Sequence, residues 1–130
     1  MSASVPSQPR VVIQTADFDL SHEVAVLRAH DARIGAICSF VGTVRDRNAA
    51  STLDTDSAGG VQSMELEHYP GMTERSIEAM IDEAQRRFDI IGARVIHRIG
   101  LLRPLDQIVM VVVSSAHRGE SFQACEFLMD

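Results

Sequence analysis

TERSIEAMIDEAQRRFDIIGARVIHRIGLLRPLDQIVMVVVSS, residues 73–115, decides the fold. Thr73 can cap a helix, with Met72 and Ile77 at the two positions of a hydrophobic staple. Ile77, Met80, Ile81, Ala84 and Phe88 then recur at i, i+3, i+4, i+7 and i+11, the apolar stripe of a helix packed on one side. After Gly92, Ala93–Ile99 and Gln107–Ser114 read as strands, and Gly100 and Pro104 punctuate a connection of hairpin length between them. A helix followed by two strands in hairpin order does not belong to a doubly wound sheet.

Upstream, Val61–Tyr69 alternates, with Met64, Leu66 and His68 on one face and Ser63, Glu65, Glu67 and Tyr69 on the other, the mark of a half-buried strand. Arg45–Gly60, RDRNAASTLDTDSAGG, has no apolar period and reads as a mobile loop of the kind that carries function. Ile34–Val44 is nearly all apolar, as expected of a strand buried on both faces. Ser21 is a candidate N-cap for a helix running to about His30, Val11–Ile13 a short strand, and residues 1–9 a flexible lead-in. Downstream, Phe122, Cys125 and Met129 recur at helical spacing from about Glu120. No glycine, asparagine, proline or basic residue closes that helix, so the sequence reads as cut inside it. The order β-α-β-β-α-β-β-α predicts an α+β fold, a mixed, largely antiparallel sheet with packed helices, in a single domain over residues 1–130.

Composition narrows the function. The chain holds 18 acidic residues and 12 arginines, and it contains no lysine, so amine nucleophiles are closed to it. A net charge of −6 with one Tyr and five Phe argues against nucleic acid as a partner. No apolar stretch is long enough for a membrane span and no signal segment is evident, which predicts a cytoplasmic protein. Cys38 and Cys125 sit in apolar runs and read as buried reduced thiols. The spacing among Cys38, His68, His97 and His117 matches no metal template, and no metal or cofactor is expected.

Two places combine cations with backbone geometry suited to anions. Ser114–Glu120, SSAHRGE, joins a buried strand to a helix start, where free N–H groups and the helix dipole favour negative charge. His117 and Arg118 add a proton-transfer group and a bidentate fork, suiting a phosphorylated substrate; the plain alternative is a solvated turn. Arg45-Asp46-Arg47-Asn48 sets cations at a strand end, with a charged loop start as the alternative. His68 and His97 read as core histidines bonded to neighbours, and Arg86 and Arg87 as the solvated face of their helix.

FVGTVRDRN at 40–48, LEHYPGMT at 66–73, HRIG at 97–100, SSAHR at 114–118 and FQACEFLMD at 122–130 occur in one order. Together they resemble the large, catalytic subunit of molybdopterin synthase, over about Val11 to Asp130. The resemblance implies an α/β hammerhead fold and a homodimer within a heterotetramer. Each copy would receive the C-terminal Gly-Gly thiocarboxylate of a small ubiquitin-like sulfur carrier. Sulfur would pass to cyclic pyranopterin monophosphate, building the dithiolene needed for molybdenum cofactor. Family substrate contacts fall on Thr43, Val44, Arg45, His117 and Arg118. Arg45 and Arg118 would clamp phosphate and transition state, and His117 would donate a proton or hydrogen bond to the pterin. The family continues past the MD motif into a segment with two catalytic lysines, absent here after Asp130. The alternative is thus a truncated, non-catalytic subunit that keeps carrier or pterin phosphate binding.

Overall fold

In the computed structural model, residues 9–46, 64–66 and 72–129 are described. Val11–Gln14 forms β1, Leu20–Arg28 α1, Ala36–Thr43 β2, Met64–Leu66 β3 and Met72–Arg87 α2. Ile90–Arg98 forms β4, Gly100–Leu102 β5, Gln107–Ser115 β6 and Arg118–Met129 α3. Most of loop 45–60, and His68, lie outside the described residues.

The main sheet has the order β1-β4-β6-β2, with β4 and β6 central. β1 runs parallel to β4, with Val11 opposite Val95. β6 is antiparallel to both neighbours, Val111 facing Val95 in β4 and Phe40 in β2. A separate antiparallel pair joins β3 and β5. The sheet is therefore mixed and largely antiparallel, as the sequence predicts.

Alternation along the central strands assigns two cores. Val95, Val111 and Val113 point toward Ile81 and Ala84 of α2 and Ala124 and Cys125 of α3. Ile96, Met110 and Val112 point the other way, beneath Val24 and Leu27 of α1. An uninterrupted apolar run such as Met110–Val113 follows from cover on both faces.

The expected identity of the doubly covered strand needs correcting. β2 is an edge strand, half-buried, with Ser39, Phe40 and Thr43 exposed. Its apolar run reflects contact with both cores from the rim: Cys38 packs against one and Ile37 and Val41 against the other. The cap of α1 is Asp19 rather than Ser21, and its carboxylate accepts from the His22 N–H at 3.3 Å. The last helix opens at Arg118, two residues before Glu120.

Candidate functional site

Val44 is the buried anchor of the first cationic turn, 2% exposed. Its N–H donates to the Asp106 carbonyl and its own carbonyl accepts from Leu105 N–H, both at 2.9 Å. The Arg103–Asp106 turn is closed in turn by the Asp106 carboxylate, which accepts from Arg103 N–H at 2.8 Å. Leu105 sits there at φ 79, a conformation rare for a branched side chain. The turn locks Val44 and leaves Thr43 and Arg45 exposed on either side of it.

The second turn is built on buried hydroxyls. Ser115 and Ser121 are almost fully buried, and their Oγ atoms lie 2.5 Å apart. Ser115 donates its one proton to the His117 carbonyl at 2.5 Å, so the hydroxyl of Ser121 is left to donate to Ser115. Gly35 closes the other side, its N–H donating to the Ser115 carbonyl at 2.9 Å. A Cβ at Gly35 would fall 2.3 Å from the Ala116 carbonyl oxygen, so only glycine allows this approach. His117 and Arg118 stand exposed on this braced turn, at the positive end of α3.

The fold does not bring the two turns together within one chain. Thr43 pairs with Gln107 at one end of the β2–β6 ladder, and Ala36 pairs with Ser115 at the other. Seven residue steps separate them along β2, roughly 23 Å at the rise of an extended strand. Each cationic turn stands at its own end of the sheet.

Sequence reading misses Gly35, Ser121 and Asp106, which position the turns. A Ser-Ser pair ending an apolar strand just before a helix start was the one available signal. His97 meets its expectation, half-buried with Nδ1 2.8 Å from the Arg98 carbonyl. Arg86 and Arg87 pair with Glu83 on the exposed side of α2, and Arg87 also lies 4.9 Å over the Phe127 ring.

Sheet order, helices on both faces and a guanidinium-bearing turn at each end of one strand pair define the class, a mixed α+β domain that presents arginine at its sheet ends. A family model described as MoaE protein matches residues 13–130. The chain belongs to this family. A molybdopterin synthase catalytic subunit from Ralstonia nicotianae is 57% identical over 122 residues, 94% of this chain and 65% of that protein. This chain thus spans just under two-thirds of that relative's length. The solved structure of a molybdopterin biosynthesis MoaE protein from Burkholderia ambifaria has 50% identity and a TM-score of 0.80, covering 94% of this chain and 74% of that one. A Helicobacter pylori complex of subunits 1 and 2 of molybdopterin-converting factor matches with a TM-score of 0.70 at 16% identity, covering 92% and 74%, and shares the fold.

Proposed function

We propose that this chain acts as the large, catalytic subunit of a molybdopterin synthase, a sulfurtransferase. It would transfer sulfur from the C-terminal thiocarboxylate of a small ubiquitin-like carrier subunit to cyclic pyranopterin monophosphate. The observation that carries the reading is the 57% identity to a molybdopterin synthase catalytic subunit across 94% of the chain. A carrier partner accords with the two-subunit Helicobacter pylori complex of the same fold. The free thiols, and the lack among the described residues of a helix able to cross a membrane, accord with a cytoplasmic setting.

Thiocarboxylate and cyclic phosphate are both anions, so bringing them together requires fixed positive charge. Guanidinium forks at Arg45 and Arg118 supply it and bind phosphate oxygens bidentately. His117, exposed beside Arg118, can donate a proton or hydrogen bond to the pterin. Val44, sealed by its backbone bonds, acts by aiming Thr43 and Arg45.

A single pterin phosphate is too short to span the two ends of one β2–β6 ladder. The five residues therefore form one site only between two copies, Thr43, Val44 and Arg45 from one and His117 and Arg118 from the other. This gives the homodimer a chemical purpose. Arg45→Ala and Arg118→Ala should each weaken cyclic pyranopterin monophosphate binding at least about tenfold, the value of a charge-assisted hydrogen bond, with unchanged circular dichroism. Native affinity in both variants would remove the site assignment.

A further inference from the structure

Two cysteines far apart in the sequence meet where α3 crosses β2. Cys125 lies in the core beneath α3, 2% exposed, and Cys38 packs against the same cluster from the edge strand. Both side chains belong to one packed cluster. Both also line a surface cavity of about 350 Å³, whose other walls include Phe40, Phe122, Glu126 and Met129. Cys38 is half-buried and Cys125 buried, so Cys38 is the more open of the two to a small molecule entering the cavity. An apolar mouth carrying one carboxylate favours a small neutral oxidant over an anionic one.

We propose that Cys38 and Cys125 form a peroxide-oxidisable dithiol, which closes to a disulfide joining β2 to α3. The Cys38 thiolate attacks one oxygen of hydrogen peroxide, the O–O bond breaks, and Cys38 becomes a sulfenic acid as hydroxide leaves. The hydroxide recovers the proton that Cys38 released. Cys125 sulfur then displaces the hydroxyl from Cys38, the S–S bond forms as S–O breaks, and the departing hydroxide takes the Cys125 proton. Two thiols are oxidised while one peroxide is reduced to two waters. Burial, and then the contact with Cys38, push the Cys125 thiol up to about 12, which keeps its proton in place until that second step. The consequence for the fold is a covalent staple on α3, whose first residue is Arg118.

The test treats the full chain with hydrogen peroxide and follows intact mass and iodoacetamide labelling. The expected product is a chain about 2 Da lighter with no covalent link between copies, both thiols lost together and both restored by dithiothreitol. In Cys125→Ser, Cys38 should instead halt at a sulfenic acid trapped by dimedone or proceed to higher oxides. Three results would overturn the proposal: oxygen retained on Cys38 of the native chain while Cys125 stays alkylatable, a disulfide linking two copies, or no loss of thiols.

Discussion

Cys125 couples a single proton to stability. Burial first, and the Cys38 contact second, hold its thiol up to about 12, whereas an unfolded cysteine ionises near about 8.5. Between those values the unfolded chain binds fewer protons than the folded one. Stability from this group is therefore complete below about 8.5 and is lost as pH rises toward about 12. In Cys125→Ala, the urea midpoint should fall less steeply with pH across that window, by up to about one proton's worth of slope. Parallel curves for the two proteins would show that the thiol ionises in the folded chain as it does in the unfolded one. At this scale the sequence was informative about chemistry and silent about company. Apolar neighbours identified both cysteines as inward-facing thiols, but adjacency between residues 38 and 125 depends on how α3 lies across β2. No local pattern encodes that crossing.

Among the helices, α1 depends least on apolar burial, having no fully buried residue of its own. Its attachment to the sheet is reinforced by Arg94 of β4, whose Nε donates to Glu23 at 2.6 Å and whose guanidinium also donates to the Pro9 carbonyl. Both side chains are largely shielded, at 11% and 14% exposure. A shielded pair that loses one member leaves a buried charge, so Glu23→Ala should cost about 3 kcal/mol in denaturant unfolding. Arg94→Met added to it should recover most of that loss. A cost below about 1 kcal/mol, with no recovery in the double variant, would class the pair with exposed ones. The apolar period of α2 and the hairpin order of β4 and β6 were legible because each is written within some twenty residues. The β5 strand was missed because three residues carry too little pattern, and it exists only by pairing with β3. Asp19 displaced Ser21 as cap because both are good cap residues and the first apolar contact, Leu20, starts the helix earlier. Edge and centre were confused for β2 because an edge strand that touches two cores is as apolar as a central one.

The whole molecule turns on a distance that motifs cannot report. The family resemblance implies one site for Arg45 and Arg118, yet the β2–β6 register puts their turns at opposite ends of the ladder. Composition and spacing are blind to this, since register appears only once the strands are paired. If one site draws Arg45 from one copy and Arg118 from its partner, the defects of the two variants must complement. A symmetric dimer has two such sites. A hybrid of Arg45→Ala and Arg118→Ala subunits would hold one site with both arginines replaced and one with both intact. Unfolding and refolding an equal mixture makes half of the dimers hybrid, so about a quarter of the native number of tight sites for cyclic pyranopterin monophosphate should return. Isothermal titration counts those sites directly, independently of catalytic turnover. If each arginine acted within its own chain, at an anion site of its own, mixing would restore no tight binding beyond that of the separate variants. Mixing therefore separates a site shared between copies from two independent anion sites on one chain, a distinction that single substitutions leave open.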